Sequence, residues 1–187
     1  MEAFLVSTGL VAVGEIGDKT QLLALMLAAR YRKPWAIMAG ILVATVANHA
    51  LAGVVGQQVA HFLGPEWLRW LLALSFLAMA VWMLIPDQAD DLDTHGRRLG
   101  VFATTVIAFF LAEMGDKTQI ATVALAARYD AVIAVVAGST AGLMLANVPA
   151  VWLGERIVRR LSMAWVHKLA AAAFAVLGVL TLVYGGS

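Results

Sequence analysis

Two stretches of this chain carry the same polar string. Residues 15–21 read Glu-Ile-Gly-Asp-Lys-Thr-Gln and residues 113–119 read Glu-Met-Gly-Asp-Lys-Thr-Gln. Glu15, Asp18 and Gln21 follow at steps of three, as do Glu113, Asp116 and Gln119, so on a helix each set shares one face. Carboxylates and amides are hard oxygen ligands, suited to Ca²⁺, Mg²⁺ or Mn²⁺. Gly17 and Gly115 permit local unwinding, which frees backbone carbonyls as further ligands. Four carboxylates against the two ammonium groups of Lys19 and Lys117 leave a charge of −2, which one divalent cation cancels. Lys19 stands four residues after Glu15, the favourable order for a helical ion pair, and both lysines read as charge-balancing partners. Thr20 and Thr118 either cap a broken helix or add a hydroxyl ligand. Ligating carboxylates must be deprotonated, so protons compete with the metal, which is a physical route to cation/proton exchange. The chain has no Cys, and it has no Met or His cluster that would argue for Cu⁺ or Zn²⁺.

What must position these residues is an apolar scaffold. Of 187 residues, 62% are hydrophobic and 13% charged, against roughly 25% charged in an average soluble domain. A core of this length cannot bury so much apolar material, and disorder requires the opposite composition. A net charge of +1 gives no basis for binding nucleic acid. The remaining class is an all-α polytopic membrane protein. A span needs about 20 mostly apolar residues. Six are found, over about 4–29, 35–62, 67–85, 99–127, 131–153 and 165–184. The N-terminus reads as a retained first span and not as a signal peptide. Connections are short, and the one substantial loop holds Asp87, Asp90, Asp91, Asp93, His95, Arg97 and Arg98. It reads as a solvated linker.

Both polar strings fall within spans, near mid-bilayer. Six charged groups facing lipid there (Glu15, Asp18, Lys19, Glu113, Asp116, Lys117) would cost on the order of 15–20 kcal/mol gross. They must face one another or a hydrated cavity, and a functional site is the default reading.

The repeat extends beyond the motif. Residues 15–31 and 113–129 are identical at 11 of 17 positions, at an offset of 98 that also relates Gly40 to Gly138, Gly56 to Gly154, Trp67 to Trp165 and Phe76 to Phe174. The expected organisation is a first three-helix repeat over 1–86, a polar linker over 87–98 and a second repeat over 99–187. Three spans per half place the halves in opposite orientations, the inverted-topology repeat of many secondary transporters, with broken motif helices. Lys and Arg fix the orientation. Arg30, Arg32, Lys33, Arg97, Arg98, Arg156, Arg159 and Arg160 fall on one side and only Arg69 and Arg128 on the other, so both termini should lie outside the cytoplasm. Trp35, Trp67, Trp70, Trp152 and Trp165 sit near span ends, as aromatic belts do.

Other polar residues within spans are weaker signals. Asn48 and Asn147 either complete a coordination shell or hydrogen-bond between helices, the reading preferred here. His49 reads as a satisfied buried histidine, and Pro149 as a kink. Gly40, Gly53, Gly56, Gly138 and Gly142 fit close helix packing.

The strings EIGDKT at 15–20 and EMGDKT at 113–118 resemble the signature of the Gdt-type cation/proton antiporters. That family includes a Golgi membrane protein linked to glycosylation, chloroplast manganese transporters and bacterial manganese exporters. The resemblance covers nearly the whole chain and implies Mn²⁺, in some members Ca²⁺, as the transported ion and H⁺ as the coupling ion. It carries the motif acids onto Glu15, Asp18, Glu113 and Asp116, with no prosthetic group and no enzymatic activity. The short chain is similar to the bacterial members, which implies the inner membrane and efflux from the cytoplasm. A more distant similarity is to lysine-exporter-type efflux proteins. The rivals are a passive divalent-cation channel and an exporter of a small organic solute. Oligomerisation is compatible with the sequence but not required by it.

Overall fold

The computed structural model describes residues 1–85, 100–153 and 163–184. All regular structure among them is helical: α1 (Glu2–Glu15), α2 (Lys19–Tyr31), α3 (Pro34–Phe62), α4 (Pro65–Trp82), α5 (Val101–Glu113), α6 (Lys117–Tyr129), α7 (Val132–Leu153) and α8 (Met163–Tyr184). By length and composition, α3, α7 and α8 are long and apolar enough to cross a membrane. The expected spans over 4–29 and 99–127 are each split into two helices, at the motif. The acidic linker 87–98 and Arg156, Arg159 and Arg160 lie outside the described residues.

Local chemistry sets the helix ends. Pro34 and Pro65 open α3 and α4, where the missing N–H has no partner to lose. Arg32 and Asp130, in the left-handed conformation, end α2 and α6, their N–H groups donating to the Ala28 and Ala126 carbonyls. α3 carries a large exposed apolar surface, including Leu42, Val43, Val46, Leu51, Val54 and Val55. Such a surface suits lipid and not water.

The packing is reciprocal. The most extensive interface is α1 on α7, and its repeat counterpart, α5 on α3, is also large. Thus the first helix of each half packs on the long helix of the other. Gly40 and Gly138, equivalent in the repeat, permit both approaches. A Cβ on Gly40 would lie 2.7 Å from Thr105 Cβ on α5, and one on Gly138 would run into the Phe4 carbonyl on α1. α4 and α8 pack on each other, with Phe76 and Phe174 at the centre, ring centroids 6.5 Å apart.

A buried three-carboxylate candidate metal centre

The motif breaks its helix in the same way twice. Glu15 ends α1, Ile16 is extended (φ −66°, ψ 117°), Gly17 has φ 84° and Asp18 is extended again before α2. Met114, Gly115 and Asp116 repeat these angles, with φ 76° at Gly115. The Asp18 N–H donates to the Glu15 carbonyl at 3.1 Å, and Asp116 to Glu113 at 3.1 Å. Each is a type II β-turn, whose third position needs positive φ and therefore selects glycine. Gln21 then clamps the turn: its Oε1 accepts from the Gly17 N–H at 2.9 Å and its Nε2 donates to the Ala146 carbonyl on α7 at 2.9 Å. Gln119 Oε1 accepts from the Gly115 N–H at 2.6 Å. The two glutamines thus use their acceptor oxygens to hold the turns.

The break corrects one expectation. Glu15 and Lys19 are not on one continuous helix, so they do not form the i,i+4 pair. Lys19 Nζ instead reaches across to Asp116 Oδ1 of the other half, at 2.9 Å. Lys117 is buried and donates to the Ile85 carbonyl at 3.3 Å, with the Trp82 ring centroid 6.0 Å away.

Carboxylate oxygens of Glu15, Glu113 and Asp116 lie within 4.8 Å of one another. All three residues are buried, at 0%, 0% and 3% exposure. Each has one oxygen held and one open. Thr20 donates to Glu15 Oε2 at 2.6 Å, Thr118 to Glu113 Oε2 at 3.2 Å, and Lys19 holds Asp116 Oδ1. Glu15 Oε1, Glu113 Oε1 and Asp116 Oδ2 have no hydrogen-bond partner among the described residues. Three buried carboxylate oxygens without donors are costly unless a cation or proton joins them. Oxygens on opposite sides of a Ca²⁺ ion stand about 4.6–5.2 Å apart, so a cluster of this width fits one divalent ion. Asp18 is buried as well but does not join this group.

The threonines therefore hold carboxylates and do not cap helices; α2 and α6 have no side-chain cap. Thr118 and Asn147 are also polar neighbours of Glu15. Asn147 donates to the Leu143 carbonyl of its own helix at 3.1 Å, and Asn48 donates across to the Phe110 carbonyl on α5 at 3.0 Å. His49 is fully buried, and neither ring nitrogen has a hydrogen-bond partner among the described residues, contrary to the satisfied histidine expected. The Thr–Glu bonds and the cross-half ion pair escaped sequence reasoning. The Glu-x-Gly-Asp string was their signal, since a turn there brings residue 20 back over residue 15.

The chain is 48% identical over 182 residues to a Vibrio cholerae protein described as a "Putative manganese exporter", covering 97% of this chain and 90% of that one. It is 30% identical to a GDT1-like protein of Synechocystis, covering 87% of each, and 22% identical to GDT1-like protein 5 of Arabidopsis thaliana, covering 97% of this chain and 96% of that one. No solved structure matches. The family pattern described as divalent cation/proton antiporter GDT1 matches residues 3–91 and 101–187, so the chain belongs to that family of membrane transporters.

Proposed function

We propose that this protein exports Mn²⁺ from the cytoplasm across the inner membrane in exchange for protons, with Glu15, Glu113 and Asp116 as the shared site for both. One observation carries the reading: three buried carboxylates within 4.8 Å of one another, each with an oxygen that lacks a hydrogen-bond donor. Such a group needs a positive charge, and either a divalent cation or protons supply it. Asp18 completes the charge balance. Gln21 and Gln119 act by fixing the turns, and the carbonyls at the C-terminal ends of α1 and α5 are the further oxygens available. Ca²⁺ takes the same ligands; the name of the Vibrio relative favours Mn²⁺.

The reciprocal contacts of α1 with α7 and α5 with α3 support two inverted three-span repeats, over 1–86 and 99–187, joined by the cytoplasmic linker 87–98. Six spans then follow if α1 with α2, and α5 with α6, each cross the membrane once. Burial of the acids favours alternating access over an open pore. With both lysines charged, the site carries −2 when empty. One Mn²⁺ or two protons neutralise it, and the empty site crosses the membrane poorly. The simplest cycle is one Mn²⁺ out for two H⁺ in.

The test is equilibrium Mn²⁺ binding to purified protein, with Glu15→Gln, Glu113→Gln and Asp116→Asn in parallel. Each variant should lose binding while keeping the elution profile of the parent. Wild-type affinity in two of the three would contradict the site.

A further inference from the structure

The two halves are alike in sequence but differ in what covers their motifs. α8 lies against α1, and α4 against α6. The repeat counterparts of these contacts, α4 with α5 and α2 with α8, are marginal at most among the described residues. The α4–α8 pair thus leans on the α1 and α6 side of the site and away from the α2 and α5 side. Exposure follows the same division. Lys117, at the start of α6, is 4% exposed, whereas the Lys19 side chain, at the start of α2, is 27% exposed. Met114 is 54% exposed and Gly115 is exposed, whereas their equivalents Ile16 and Gly17 are partly covered.

An exposed turn and a partly exposed ammonium do not face hydrocarbon. Non-helical backbone at membrane depth persists only where protein buries it or water reaches it. We propose that divalent cations reach the site through a hydrated mouth between Lys19 and the Met114–Gly115 turn, and that the Lys19 ammonium is a tethered plug which the incoming ion displaces from Asp116. Lys19 is suited to this because its stem is flexible and its far end already occupies a carboxylate oxygen of the candidate site. α2 runs to Arg30, Arg32 and Lys33, and α5 follows Arg97 and Arg98, so the mouth opens to the cytoplasm. This inference rests on the proposed site and orientation.

Two measurements test it. The chain has no Cys, so single thiols report without background. Met114→Cys and Ile16→Cys are reconstituted in oriented vesicles without divalent metal and treated with a membrane-impermeant cationic thiol reagent from each face. Met114→Cys should react from the cytoplasmic face at least about tenfold faster than Ile16→Cys from either face, since a covered thiol reacts only through rarer opening. Reaction of Met114→Cys from neither face, or from the outer face only, overturns the mouth; so do equal rates at the two positions. For the plug, Lys19→Met should raise Mn²⁺ affinity about tenfold, a typical coupling for a displaced competitor, and Lys117→Met by less than about threefold. Lys19→Gln repeats the measurement if the Met variant fails to fold. Equal gains at Lys19 and Lys117 would reduce both to general charge effects and overturn the plug. If the parent protein binds no Mn²⁺, the functional reading fails, whereas the thiol pattern stands or falls without metal.

Discussion

Thr118 stands beside the glutamates of both motifs. Its hydroxyl donates to Glu113 Oε2, and it also stands beside Glu15, so it links the two halves. Thr20 donates to Glu15 alone among the three clustered acids. Groups that orient ligands typically contribute 10–100-fold in metal affinity. Thr118→Val should therefore weaken Mn²⁺ binding about 10–100-fold, Thr20→Val should weaken it less, and serine should restore both. Isothermal titration checks the order; a larger loss at Thr20 would contradict it. The acids that cluster were legible from the sequence, because charged groups in an apolar span must face one another or water. Their partners were not. Spacing along a continuous helix pairs Lys19 with Glu15, but three turn residues intervene and redirect Lys19 to Asp116. Which lysine meets which acid is a tertiary outcome, set by how α1 and α5 lie across the opposite half.

The helix breaks depend on glycine conformation. Gly115 has φ 76°, and a Cβ there would meet nothing within 4 Å. Gly115→Ala therefore isolates the backbone cost of a left-handed residue, about 1–2 kcal/mol. It should lower thermal stability in detergent and reduce Mn²⁺ binding, because the turn aims Glu113 and Asp116. Gly138 differs, since there a Cβ collides with Phe4 backbone. Gly138→Ala should separate α1 from α7 and destabilise the fold. Gly9→Ala, on the same helix as Phe4 but with open space around it, should be neutral or slightly stabilising. Comparable melting temperatures for Gly138→Ala and Gly9→Ala would contradict the close approach. At this scale, expected span ends fell within a few residues of the helix ends, because proline, charge clusters and apolar runs mark them. Interior breaks were less legible: Gly17 and Gly115 allowed them without requiring them, and periodicity does not distinguish a kinked span from a straight one.

For the whole molecule, the Lys and Arg asymmetry predicts that residues 87–98 lie inside the cytoplasm and both termini outside. Reporter fusions at residues 90 and 187 should give opposite signals, and a cytoplasmic C-terminus would contradict the proposed inverted repeat. The reciprocal packing of α1 on α7 and α5 on α3 brings Glu15 and Glu113, 98 residues apart, into one cluster. That convergence could be suspected from the duplicated motif, but the helix packing behind it could not be read from sequence. If metal and protons share the cluster, Mn²⁺ affinity must fall as pH falls, because the ligands bind metal only when deprotonated. The most direct measurement is Mn²⁺ flux in proteoliposomes, first under an imposed pH gradient and then under an imposed voltage at equal pH. Exchange of one Mn²⁺ for two protons moves no net charge, so a pH gradient should drive uphill Mn²⁺ movement and voltage should have little effect. Flux that ignores pH and follows voltage alone would show a channel or uniporter and contradict antiport at the three-carboxylate site.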